Sequence, residues 1–131
     1  MYGNDRGRYH LDAMDQDAMK ARTKTFALRV INLTESLPAT RAAEVIGRQL
    51  LRSATSVGAN YRASRRGKSR ADFIHKLAIV EEEADESAYW LELLVESGIV
   101  PPAKLADLMR ECDEITAIIV ASIRTAKRSR D

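Results

Sequence analysis

The chain has 131 residues, 45% of them hydrophobic and 31% charged, with a formal net charge of +2. That length suits one domain around one core, and the balance excludes both a disordered polymer and a membrane-embedded chain. A single cysteine, Cys112, rules out an internal disulfide; near-neutral charge means that any case for nucleic acid rests on where the cations sit.

Residues 1–11, with Gly3, Gly7 and mixed charge, read as a mobile arm ahead of a helical region over residues 12–128. Met1 to Lys20 holds Asp5, Asp12, Asp15 and Asp17 and no apolar h-region, so the expectation is a soluble cytoplasmic protein. The first helical block runs from about Asp12 to Ser36, with Met19, Phe26, Val30, Leu33 and Leu37 at helical spacing. Leu37-Pro38 closes it, because the residue before proline is pushed out of helical geometry. The second block runs from about Thr40, its N-cap, to Ser64. Its apolar face is Ala43, Ile46, Leu50, Ala54, Val57 and Tyr61, and Gly67 lies just past its end.

The third block opens on Ser69-Arg70-Ala71-Asp72, which has the form of a capping box with Asp in place of Glu. Phe73, Leu77, Val80, Ala84, Ala88, Leu91 and Val95 make its stripe, and Gly98 stops it by taking a left-handed conformation. Pro101-Pro102 starts the fourth block, where a missing backbone donor costs nothing in a first turn. Leu105, Leu108, Cys112, Ile115, Ile119 and Ile123 carry its face. Strand signals are nearly absent. Short links force sequential helices to run antiparallel, so the expected fold is all-α, an antiparallel up-down-up-down four-helix bundle.

The apolar stripes are wider than a lone bundle needs. Leu28 and Ile31 broaden the first, Ile74, Trp90 and Leu94 the third, and Ile118 and Val120 the fourth. A fat core with ordinary surface apolars is one reading. The other, which we favour, is a second flank facing a neighbouring copy, with Ile74, Trp90, Leu94, Ile118 and Val120 as candidate interface residues.

Charge is sorted by block. From Arg41 to Arg70 there are eight cations against Glu44 alone; from Ala71 to Glu96 there are eight acids against Lys76 alone. Opposite blocks of this kind select a partner and a register more than they add affinity. The densest cluster, Arg62, Arg65, Arg66, Lys68 and Arg70, falls between the second and third blocks with no acid among them. Such cations neutralise phosphates, and Tyr61 beside them would stack on an unpaired base. The alternative is a solvated loop whose cations satisfy the second helix's carbonyls and the third helix's acids.

The run Leu50-Leu51-Arg52-Ser53-Ala54-Thr55-Ser56-Val57-Gly58-Ala59-Asn60-Tyr61-Arg62-Ala63-Ser64 resembles the four-helix-bundle family of 23S ribosomal RNA intervening-sequence proteins. So do Ser69-Arg70-Ala71-Asp72-Phe73-Ile74-His75-Lys76-Leu77 and Ala84-Asp85-Glu86-Ser87-Ala88-Tyr89-Trp90-Leu91-Glu92-Leu93-Leu94, and the likeness covers about residues 22–125. The resemblance implies an antiparallel four-helix fold and a ring-shaped homopentamer. The family is also similar to the accessory protein of diversity-generating retroelements, a basic pentamer that binds a reverse transcriptase and nucleic acid. The ordered small residues Ser53, Ala54, Ser56, Gly58 and Ala59 have a physical reading of their own: they let the second helix approach another backbone closely. Asn60 is able to bridge backbone groups once buried.

No glycine-rich phosphate loop and no paired Cys/His metal spacing occurs. Asp72-Phe73-Ile74-His75 imitates the carboxylate-x-x-His step of di-iron bundles, but the one other histidine is His10, in the arm. Arg70 and His75 form Arg-x₄-His, similar to the signature of HEPN-type ribonucleases, a spacing that arises readily by chance where arginine is frequent. The expected function is therefore a non-enzymatic homo-oligomeric scaffold, without metal or cofactor, that meets RNA or a nucleic-acid-binding protein through basic patches. A pure protein-interaction module is the alternative, and a HEPN-like ribonuclease a more distant one.

Overall fold

The structure, a computed structural model, describes residues 2–128, with side chains over 16–128. Four helices build it: α1 (Tyr2–Glu35), α2 (Arg41–Ser64), α3 (Arg70–Glu96) and α4 (Pro102–Arg128), with no strand among the described residues. α1 begins ahead of the start expected near Asp12; the arm expected over residues 1–11 lies outside the residues whose side chains are described.

The helix ends follow from local chemistry. The Ala43 N–H donates to Thr40 Oγ1 at 3.3 Å and the Asp72 N–H to Ser69 Oγ at 3.1 Å, so both N-caps hold a donor that the helix itself leaves orphaned. The box at α3 closes differently from expectation, because the Asp72 carboxylate accepts from the Lys68 N–H at 3.0 Å, one residue before the cap. Gly98 takes φ +81, and the chain turns so that the Val100 N–H returns to the Leu94 carbonyl at 3.0 Å. Gly67 is not left-handed. A Cβ there would lie 3.2 Å from the backbone of Phe73 and from the Ser64 carbonyl, so close approach is the reason for glycine.

Contacts between helices step in opposite directions. A Cβ at Gly47 would meet Leu37 and one at Gly58 would meet Thr23, which sets α1 against α2. Arg65 over Phe73 and Ser53 against Ser87 set α2 against α3 in the same sense. Each helix packs on its chain neighbours, α1 also meets α4, and among the described residues the diagonal pairs do not pack. The α1/α4 seam is the thinnest of the four. Arg22 spans it, donating to both Glu111 oxygens at 2.7 and 2.8 Å and to Glu114 Oε1 at 2.7 Å.

Phe26, Leu50, Leu77, Leu91, Leu105, Ile115 and Ile119 are fully buried at the centre. So is Leu94, at 0% exposure, which corrects its assignment to a subunit-facing flank. The buried positions of α3 run Leu77, Val80, Ala84, Ser87, Leu91 and Leu94, a 3-4-3-4 seam. Ser87 is polar, so an apolar stripe drawn from sequence steps to Ala88 and continues to Val95, both half-buried. Ser87 is tolerated in the seam because its hydroxyl lies 2.8 Å from that of Ser53, also fully buried.

Candidate nucleic-acid interface

At the C-terminal end of α2 the backbone stays right-handed helical through Arg65, with φ −69 and ψ −13. Arg62, Arg65 and Arg66 therefore stand at helical i, i+3 and i+4, neighbours on one surface. The antiparallel register brings Lys20 of α1 to the same place. These four cations line a cavity of about 220 Å³. Lys20 and Arg62 also belong to the wall of a second cavity, about 230 Å³, that runs between α1 and α2 over Ala27, Thr55, Gly58 and Ala59.

The guanidinium carbon of Arg65 sits 4.9 Å from the centre of the Phe73 ring, a cation–π contact that holds the side chain in place. Its Nε–H is buried with no acceptor. Ion pairs among the described residues engage Arg22, Arg52, Lys76 and Arg110; Lys20, Arg62, Arg65, Arg66 and Lys68 take part in none. The alternative in which the loop cations are satisfied by α3 acids of the same chain is thus not realised for Arg62, Arg65, Arg66 and Lys68.

The other two residues of the sequence-derived cluster are placed differently. Tyr61 is 5% exposed and belongs to the hydrophobic core, so its ring is not offered to a base. Its position on the heptad seam of α2, seven residues after Ala54, is the reason. Arg70 is half-buried at the first position of α3 and is not a free cation. Lys20 is the member that sequence reading missed. Nothing local marks it, because only the pairing of α1 with α2 brings it beside Arg62.

The acids of α3 are partly used within the chain. Arg52 of α2 pairs with Glu83 at 3.4 Å and with Glu86. Glu86 also accepts from the Trp90 indole N–H at 3.1 Å, which with Arg52 holds its carboxyl below the usual range. The Lys68 N–H, then Lys76, do the same for Asp72. Glu81, Glu82, Glu92 and Glu96 form no ion pair among the described residues.

Of the expected interface residues, Ile74 and Trp90 are half-buried and pack against the chain's own core, Val120 is half-buried, and Ile118 is 37% exposed. His75 is exposed on α3. Cys112 is buried, its Sγ donating to the Ala84 carbonyl at 3.3 Å, and burial pushes its thiol up to about 12, so it stays protonated and weakly nucleophilic at neutral pH. Among the described residues no group of three His, Cys, Asp or Glu is placed to hold a metal ion, and no helix is long and apolar enough to cross a membrane.

A four-helix bundle with cations left unpaired at one end is the class of protein that these features define. Within that class the chain belongs to the family described as 23S rRNA-intervening sequence protein, whose model matches residues 16–121. It is also similar to a crystal structure from Bacteroides thetaiotaomicron, described as a protein with unknown function from the S23 ribosomal protein family. The two are 36% identical with a TM-score of 0.78, over 83% of this chain and 97% of that one. No curated protein matches the chain.

Proposed function

We propose that this chain is a non-enzymatic, cytoplasmic RNA-binding protein that works as a homo-oligomer, a homopentamer by family resemblance, and meets RNA through the basic end of α2. The observation that carries the reading is the cluster of Lys20, Arg62, Arg65 and Arg66 around one cavity, none of them in an ion pair with an acid among the described residues. Four cations held together without counter-charges repel one another, and that cost is relieved when a polyanion binds. The family's name supports RNA as the polyanion.

If these four cations meet single-stranded phosphates, log affinity falls against log salt with a slope of about −2.8, at roughly 0.7 per phosphate neutralised. Titration of a labelled single-stranded RNA over a range of salt concentrations measures it. A flat slope removes the reading, as does undiminished affinity in the Arg62→Glu, Arg66→Glu double variant.

A second reading is favoured by Glu81, Glu82, Asp85, Glu92 and Glu96, the acids of α3 without an ion pair among the described residues. In it the basic end of one copy pairs with α3 of the next, and the protein is an interaction module without nucleic-acid contact. Charge reversal at Arg62 and Arg66 then breaks the oligomer, seen by light scattering, whether or not RNA is present.

A further inference from the structure

We infer that the cavity lined by Lys20, Arg62, Arg65 and Arg66 seats a terminal phosphate of single-stranded RNA, with the end nucleoside in the adjoining groove between α1 and α2; the inference rests on the RNA-binding reading. Three observations lead there. Charge sets the class of ligand. An internal phosphodiester brings one negative charge, whereas a phosphate monoester carries about two at neutral pH and offers three acceptor oxygens. Four cations around about 220 Å³ are better matched by the second. The α2 dipole opposes any anion at this end with roughly half a negative charge, which four full positive charges outweigh.

Hydrogen bonding points the same way. Arg65 is clamped over Phe73 and carries a buried donor without an acceptor, so its guanidinium is fixed but incompletely satisfied. A guanidinium already held in position loses little freedom when it meets a phosphate, and charge-assisted bonds of this kind are the strong ones. Shape supplies the last part. The cationic cavity shares Lys20 and Arg62 with the groove of about 230 Å³ between α1 and α2, whose wall adds Lys24 and the small side chains of Ala27, Thr55 and Ala59. A charged end and an adjoining groove together have the outline of a phosphorylated nucleotide.

The test uses the full chain and one short oligoribonucleotide made in three forms: 5′-phosphate, 3′-phosphate and hydroxyl at both ends. Fluorescence anisotropy measures affinity, and inorganic pyrophosphate serves as competitor. The expected result is about tenfold tighter binding of one phosphorylated form over the hydroxyl form, reduced to within about twofold in a Lys20→Gln, Arg66→Gln variant. Neither residue is buried, so the fold is retained, and circular dichroism checks this. Lys104→Gln, exposed at the opposite end of the bundle, leaves the preference intact. RNA bound equally whatever its ends overturns the seat and leaves the RNA-binding reading standing. Pyrophosphate bound without any RNA affinity assigns the cavity to free phosphate and overturns both. No binding of either probe also overturns both.

Discussion

Two glycines in the middle of α2 separate helix propensity from packing. A Cβ at Gly47 would meet Leu37 Cδ1 at 3.0 Å, the flexible tip of a half-buried side chain. At Gly58 it would meet Thr23 Oγ1 at 3.3 Å and two further Thr23 atoms, one of them backbone, at 3.6 Å. Thr23 is 1% exposed and its hydroxyl is tied to the Met19 carbonyl at 2.9 Å, so it has little room to give. Glycine in a helix interior costs about 0.5–1 kcal/mol against alanine. Gly47→Ala is therefore expected to stabilise by about 0.5 kcal/mol and raise Tm by roughly 1–3 °C. Gly58→Ala gains nothing or loses, because displacing Thr23 offsets the same propensity term. Thermal melting of the two variants decides, and an equal rise in both would mean that α1 does not pack as closely on Gly58 as this register requires. A packing role for the small residues was readable from sequence, but the identity of Thr23 as the packed surface was not, since nothing local encodes which residue of another helix lies opposite.

At the scale of elements, punctuation was legible and the centre of α3 was not. Thr40, Ser69, Gly98 and the Pro101-Pro102 pair act within a few residues of themselves, so their effect is written locally. Core membership is decided by neighbours. Ser87 reads as a surface residue until Ser53 is placed against it, and misreading that one step of the seam displaced Leu94 to the outside. The same limit hid Arg22. Its bidentate bond to Glu111 is the main polar link across the thin α1/α4 seam, and it holds the Glu111 carboxyl below its ordinary value of 4.5. A carboxyl depressed in the folded state stabilises above its unfolded pKa and loses that contribution as pH falls through the folded one. Arg22→Ala is accordingly expected to cost about 1 kcal/mol at neutral pH. The cost shrinks as acid protonates Glu111, so stability curves of parent and variant converge below the ordinary carboxylate range. Urea titrations at neutral and acid pH measure it, and a constant difference between the two curves would show that Arg22 acts through packing of its stem instead.

For the whole molecule, the question is which surfaces join copies if the chain assembles as proposed. Large exposed apolar side chains occur on all four helices: Leu28, 52% exposed, and Ile31 lie on α1, Val45 on α2, Tyr89, 53% exposed, on α3, and Ile118 on α4. α1 and α3 form a diagonal pair that does not pack among the described residues, so Leu28 and Tyr89 stand on helices that do not touch. An isologous dimer needs one self-complementary patch, whereas a ring joins two unlike faces of every subunit. Exposed apolar groups on two helices that do not touch suit the second arrangement. Leu28→Glu with Ile31→Glu, and separately Tyr89→Glu, are each expected to reduce a ring to monomers, because damage to either face interrupts every contact. Mixing supplies the sharper test: the two variants retain one intact face each, so together they form a single native contact and sediment as a heterodimer, while each alone stays monomeric. Loss of assembly from one variant only, with no rescue on mixing, would identify a single symmetric interface and exclude the ring.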